Sequence, residues 1–479
     1  MARTITIDPV TRIEGHAKVL IDLTDDDSVE SAKLIINELR GFERILVGME
    51  AAQMPLITAR ICGVCPSAHH LAAVKAVEAA FEVDPPPAAK LQRELLYMGH
   101  FIHSHAVSLF ALAGPDMIFG ITGQRKKRDI AAVVEAMPDV AKKALRLRTL
   151  GQKLNELIGG RGIHPVTAVI GGMSTRMTSE KLGEAKKMSA EALSLYNELA
   201  PKVKEMFNNL IEDMPTLSCA SFALPTSYMG TIKNGKVNFY DGDIRIVDNT
   251  GKQTAQFNVA DYTDYIVERP VDYSYTKPVF LKKPVGDNDL YRVSVLARLN
   301  LTDQMETPGA QAHLQEYKEK YGPICHLTIM QLWTRLIELQ YACEKAVEIC
   351  NDSALMGEAR VPAKVKAGRG VGHVEAPRGT LIHEFEIDDK GIVRRANLLV
   401  ATQQNYEAIN RSIHQVVDLL GADDESLLDG VEFAIRLYDP CLSCSTHAVG
   451  QMPITIDVRK NGSPVRQIVR KGVRWLKFS

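Results

Sequence analysis

Four of the eight cysteines fall into two Cys-x-x-Cys pairs near opposite ends of the chain. Cys62 and Cys65 stand in RICGVCPSAHH (60–70), and Cys441 and Cys444 in DPCLSCSTH (439–447). Such a pair serves as a dithiol redox centre in a βαβ setting, or supplies half of a tetrathiolate metal site. Neither pair lies in an evident strand-to-helix pattern of the thioredoxin kind. Zinc ribbons space their pairs by roughly 15–20 residues, whereas 375 residues lie between Cys65 and Cys441. Spacing alone therefore leaves two readings open: two local features, or one site closed by folding. Brought together, four thiolates form a soft ligand set suited to zinc, iron–sulfur or nickel. The remaining Cys219, Cys325, Cys343 and Cys350 are scattered and read as core packing.

A common site needs a scaffold that joins the two ends. The chain has 479 residues, enough for two or three domains or one large core with insertions. Apolar residues make up 46% and charged residues 24%, the balance of a soluble globular protein. A net charge of -1 offers no strong field to nucleic acid or membrane headgroups, so neither is expected as a partner. Eight cysteines are too sparse for a disulfide framework, which fits a reducing, cytosolic setting, and MARTITIDPVTRIEGH has no apolar signal core. The longest apolar stretch, 95–120, is broken by three histidines, a proline and an aspartate. It reads as a buried helix, not a bilayer span.

TITID, AKVLIDL and VESAKLIIN read as short strands, and 43–82 as helices interrupted at RICGVCP, with Pro66 in the first turn of the second. Helical spacing recurs at 180–213, 326–351, and near 405–420 and 425–437. NG, DG and TG turns mark a β excursion near 230–260, and another lies near 380–400. The expected fold is mainly α with α+β pieces: a multihelical core with a short N-terminal β meander. Residues 1–479 are expected to form one compact, multi-lobed unit.

TRIEGH (11–16), RGFE (40–43), RICGVCPSAHH, EAPRG (375–379), ATQQN (401–405) and DPCLSCSTH occur in that order. Together they resemble the large, catalytic subunit of nickel–iron hydrogenases over nearly the whole chain. FYDGDIRIVD, VSVLARLNLTD, VEAPRGTLIHEF and DPCLSCSTHAVGQMP are similar to segments of its cytoplasmic branch, which includes bidirectional, NAD-reducing enzymes.

The resemblance implies one site in which all four thiolates bind nickel. Cys62 and Cys441 are terminal ligands, while Cys65 and Cys444 bridge nickel to an iron carrying carbon monoxide and cyanide. It implies heterolytic cleavage of dihydrogen, with Cys441 taking the proton and Glu14 passing it on; burial suits a carboxyl group to that step by raising its pKa. Arg378 resembles the arginine above the open metal position, where a fixed positive charge strengthens polarisation of dihydrogen. His69 shares a helix face with Cys65 and becomes, by resemblance, a hydrogen-bond donor to the bridging sulfur. Its neighbour His70 reads as a solvated helix histidine. Glu43 and His447 match a second metal site for magnesium or iron(II), with a backbone carbonyl near Asn405 as a further donor. His100, His103 and His105 lie in a region that faces the partner protein in the family, and no metal is assigned there.

The resemblance also implies partners: an iron–sulfur small subunit, flavin and iron–sulfur NAD(P)-reducing subunits, and a maturation endopeptidase. Electron bifurcation is one arrangement it allows. Family precursors are cut after the histidine of DPCxxCxxH, so 448–479 reads as a cleavable maturation peptide; the plain alternative is a terminal hairpin. One departure is Ser108, where respiratory members carry an aspartate. AGRGVGH (367–373) lacks the third glycine and preceding strand of a dinucleotide fingerprint, and the leftover cysteines form no cluster-binding run. NAD, flavin and iron–sulfur clusters are therefore expected in other subunits. Two other readings stand beside this one. A complex-I-like quinone-module subunit shares the ancestry but has lost the cysteine pairs, and a zinc-binding structural protein leaves TRIEGH and EAPRG unexplained.

Overall fold

Alternation of apolar and polar residues folds the first 36 residues into three antiparallel strands, Arg3–Ile7, Lys18–Leu23 and Val29–Ile35. Their inward set, including Ile5, Val19, Ile21 and Leu34, packs on Ile409, Ile413, Val431 and Ile435. Those partners sit on the amphipathic helices Tyr406–Leu420 and Asp424–Leu437, near the other end of the chain. The computed structural model describes residues 3–8, 10–25, 29–36, 41–121, 128–269, 271, 273–274, 276–284, 288–420, 424–442, 454–460 and 463–470. The strands Ile454–Lys460 and Ser463–Arg470 form a hairpin, the plain alternative read for this segment, and extend the N-terminal sheet, with Arg3 opposite Lys460 and Ile5 opposite Val458.

Helix accounts for 53% of the described residues and strand for 20%, which bears out the mainly α reading. The central layer comprises Pro87–Ala106, Pro138–Gly159, Ser179–Asp213 and Gln331–Asn351, packed through one large apolar cluster. The stretch Pro87–Phe119 has the length and hydropathy of a membrane span, yet 72% of its most apolar window is buried inside the protein. A small sheet forms at 227–257, and a three-stranded meander comprises Gly368–Ala376, Gly379–Ile387 and Val393–Leu399.

The strand Gly368–Ala376 departs from the expectation for AGRGVGH, whose glycines only mimic a nucleotide fingerprint. They serve a different purpose: they let the strand lie directly on the helix Pro66–Phe81. A methyl group on Gly370 would stand 2.5 Å from the Ala80 nitrogen, and one on Gly372 would stand 2.3 Å from the Ala76 nitrogen. Ala72, Ala76 and Ala80 supply the matching small residues on the helix. This seam sets the distance between the helix that follows Cys65 and the hairpin that carries Arg378.

Both atoms in that clash belong to backbone, so neither side can rotate away. Gly372→Ala should therefore cost about 1–3 kcal/mol or more, read as a lower thermal midpoint. Gly183→Ala, in an open position on an exposed helix, should be neutral or stabilise by about 0.5–1 kcal/mol. Equal midpoints for the two variants would contradict the seam.

Candidate metal centre

Cys62 follows the tight turn Ala59–Ile61 in an extended conformation, and Gly63 and Val64 bring the chain back to Cys65. Cys65 caps the helix Pro66–Phe81, with proline at the first helical position, where its missing N–H costs nothing. The Cys62 sulfur accepts the N–H groups of Val64 at 3.3 Å and Cys65 at 3.0 Å. Backbone donors and a helix N-terminus both favour the thiolate form.

Cys441 arrives from the other end of the chain. Its N–H donates to Thr402 Oγ1 at 3.0 Å, and its backbone forms a parallel bridge with Glu14, where the Leu442 N–H donates to the Glu14 carbonyl at 2.9 Å. Cys441 Sγ lies 3.0 Å from Cys62 Sγ and 3.9 Å from Cys65 Sγ, and the three sulfurs all fall within 4.8 Å of one another. A disulfide requires about 2.05 Å, so these are free thiols. Folding thus brings Cys62, Cys65 and Cys441 into one buried cluster. Cys444 and His447 lie outside the described residues.

The cluster's electrostatics fit a cation. Hydrogen bonding to Cys441, then to Cys62, and burial push the Cys65 thiol well above its ordinary range. A soft metal ion resolves that crowding, because coordination holds the thiols as thiolates. Arg378 lies in the two-residue loop between Ala376 and Gly379. Its Nε donates to the Asp439 carbonyl at 2.5 Å and its Nη2 to the Asp439 carboxylate at 3.1 Å. Burial works against the Arg378 charge, but Asp439 and then the three cysteines outweigh it, and its pKa lies above the arginine norm. Cys65, His69, Arg378, Thr402 and Cys441 line a cavity of ≈ 10 Å³, about the least space that holds one water.

Several groups position these residues. Arg298, fully buried between Glu338 and Glu375, donates through Nη1 to the Ala376 carbonyl at 3.0 Å, just before the Arg378 loop. Asn405 donates to the Arg378 carbonyl at 3.2 Å. The TRIEGH segment is fastened by Thr11, whose N–H and hydroxyl reach Glu432 at 2.9 Å, and by Arg12, which meets Asp116 at 2.6 Å. Arg436 reaches Asp116 at 2.9 Å and the Thr11 carbonyl at 3.1 Å. Glu14 itself is half-buried. Sequence reasoning misses Asp116, Arg298, Glu432, Arg436 and Asp439. A lone acid within the apolar GPDM is one available signal; Asp439, inside the DPCLSC motif, is another.

Glu43 stands on the short helix Phe42–Leu46 and lines a cleft of ≈ 110 Å³ with Glu268, Thr402, Gln403, Cys441 and Leu442. Ser108 is buried in a π-helical turn, Val107–Leu112. His69 Nδ1 meets His383 Nε2 at 3.0 Å. Two expectations need correction. His70 is fully buried, its Nδ1 paired with the Pro55 carbonyl and its Nε2 accepting from Ala168 N–H; burial lowers its pKa to about 4. It is a structural histidine, not a solvated one. His100 and His105 are buried within this chain, with His105 Nε2 paired to Glu338 at 3.0 Å, while His103 is half-buried. Cys325, Cys343 and Cys350 are core residues, but Cys219 is only partly buried.

Comparison with known proteins agrees with this site. A family model described as nickel-dependent hydrogenase matches residues 40–136, and one described as HoxL-like matches 4–39. One relative, from the F420-non-reducing hydrogenase vhu of Methanocaldococcus jannaschii, is 40% identical over 87% of this chain and 99% of its own length. The NAD-reducing hydrogenase HoxS subunit beta of Cupriavidus necator is 34% identical over 96% of this chain and 97% of its own. A crystal structure of an NAD+-reducing [NiFe]-hydrogenase in the H2-reduced state superposes with a TM-score of 0.87 at 32% identity, covering 93% of this chain and 99% of that one. With its thiols gathered under Arg378, the chain belongs to the nickel-dependent hydrogenases, as their nickel–iron catalytic large subunit.

Proposed function

We propose that this chain cleaves dihydrogen reversibly into two protons and two electrons in a cytoplasmic complex. The observation that carries the reading is the buried thiol cluster, assembled from both ends of the chain beneath a clamped arginine. When bound, the nickel–iron group supplies a redox-active, Lewis-acidic position at which dihydrogen is polarised. Cys62 and Cys441 would hold the nickel, Cys65 and Cys444 would be shared with the iron, and carbon monoxide and cyanide would complete the iron's ligand set.

Arg378 keeps a fixed positive charge over the cavity, where low dielectric strengthens its effect. Cys441 takes the proton and Glu14 passes it toward solvent; the backbone bridge between them holds the two residues side by side. Glu43, with His447, is assigned to a magnesium or iron(II) site in the cleft beside Leu442, where Glu43 and Glu268, with Lys277 nearby, offer the oxygen donors a hard cation takes.

Electrons leave through an iron–sulfur small subunit, since the relatives are subunits of larger hydrogenases. From there we assign a flavin-dependent NAD(P)-reducing module, supported by the NAD-reducing relative and the solved NAD+-reducing enzyme. A second reading has its own support: identity is higher to F420-non-reducing hydrogenases, 40% against 34%, a name that excludes F420 and leaves acceptors other than NAD open. Residues 1–447 are assigned as the mature unit and 448–479 as a peptide removed by an endopeptidase.

Metal analysis and infrared spectroscopy of the purified complex should find nickel and iron with cyanide and carbonyl bands, and hydrogen-dependent dye reduction. Zinc alone without dye reduction would falsify the assignment. NAD, NADP and viologen assays on the same sample separate the two acceptor readings. Glu14→Gln should keep its metals but lose about 10²–10⁴-fold in turnover; wild-type turnover removes Glu14 from the proton path. Mass spectrometry of active enzyme should place the C-terminus at His447, and an active, nickel-loaded chain ending at Ser479 refutes the cleavage.

A further inference from the structure

His383 lies on the strand Gly379–Ile387, five residues after Arg378, and meets His69 across the seam with the helix Pro66–Phe81. The Nε2 of His383 and the Nδ1 of His69 are 3.0 Å apart, with 0% and 1% of the two residues exposed. A neutral imidazole has one N–H and one lone pair, so a single proton occupies this contact and one ring must donate. Burial, then the neighbouring His69, holds the His383 pKa well below the ordinary histidine range, so His383 is neutral.

The direction of donation follows from the far side of His383. Its Nδ1 is buried and has no hydrogen-bond partner among the described residues. An orphaned buried N–H is rarer in proteins than an under-satisfied acceptor. The lower-energy arrangement therefore leaves the lone pair on Nδ1 and puts the proton on Nε2, where it is donated to His69 Nδ1. With Nδ1 accepting, His69 carries its own proton on Nε2. His69 lines the same small cavity as Cys65, Arg378 and Cys441.

We infer that His383 is a positioning residue that fixes His69 as the Nε2–H tautomer, so that His69 presents a donor to the thiolates. The inference rests on the proposed reading of His69 as the neighbour of the bridging Cys65 sulfur. In the opposite tautomer a lone pair would meet a thiolate, and the two would repel. An N–H directed at the sulfur instead withdraws electron density from it, as outer hydrogen bonds do at metal sites.

The test uses the purified complex. With ¹⁵N-labelled histidine, and the His69 signal assigned by its loss in His69→Phe, long-range proton–nitrogen correlation should find the His69 proton on Nε2. A proton on Nδ1 overturns the inference whatever the variants do. In the infrared, His383→Phe should retain its metals and move the carbonyl band to lower frequency, in the same direction as His69→Phe, because a thiolate without its donor gives more density to iron. Its activity should fall about 10–100-fold. His383→Gln, which restores a donor, should return the band toward its original place. A shift in His69→Phe but none in His383→Phe sinks the role of His383 and leaves that of His69 standing. Bands unmoved in both remove the reading of His69 as well.

Discussion

Three thiols held within 4.8 Å of one another in a dry interior have no reason to stay together unaided. The neighbouring sulfurs of Cys441 and Cys62, together with burial, favour the protonated form of Cys65, and three thiolates at this distance would repel one another. Their convergence must be imposed by the rest of the fold, without a covalent link between the chain ends. The N-terminal strands pack on the last helices, the Glu14 backbone bridges Cys441, and Thr402 holds the Cys441 N–H. The scaffold is thus a device for maintaining an arrangement that a metal ion then makes favourable.

Much of that imposition is ionic and buried. Asp116 joins Arg12 to Arg436, Arg298 lies between Glu338 and Glu375, and Asp439 is clamped by Arg378. Buried ion pairs are weak sources of net stability, because desolvation offsets much of their attraction. Their value here is directional. Each pair or triad ties a loop of the site to a helix or strand: TRIEGH to the helices around Asp116 and Glu432, and the Arg378 loop to the core through Arg298. Breaking one partner leaves an uncompensated charge, so misplacement of a site loop is costly as well as unproductive.

The cysteine motifs, the helix starting at Pro66 and the N-terminal strands are legible in the sequence because their signals are local: spacing, a proline at a first turn, strict alternation. The strand through Gly368–Ala376 is not, since its glycines answer to a helix some 300 residues away and remove the alternation that marks a strand. His70 reads as solvated because polar residues on helices usually are, yet Pro66–Phe81 is buried on almost every side. His383, Arg298 and Asp116 carry no local signature, for their meaning lies entirely in distant partners. The nickel–iron identity is legible only through ordered motifs, since two Cys-x-x-Cys pairs alone fit several metals.

The joining of both chain ends in one cluster also has a consequence in time. Cys65 emerges during synthesis 376 residues before Cys441 (441 − 65 = 376). At about 5–20 residues per second, that interval is roughly 20–75 s. The helix and strand scaffold can form meanwhile, but the thiol set cannot. The chain must therefore carry two reactive cysteines through most of its own translation, and any metal delivered before the last helices are made meets half a site.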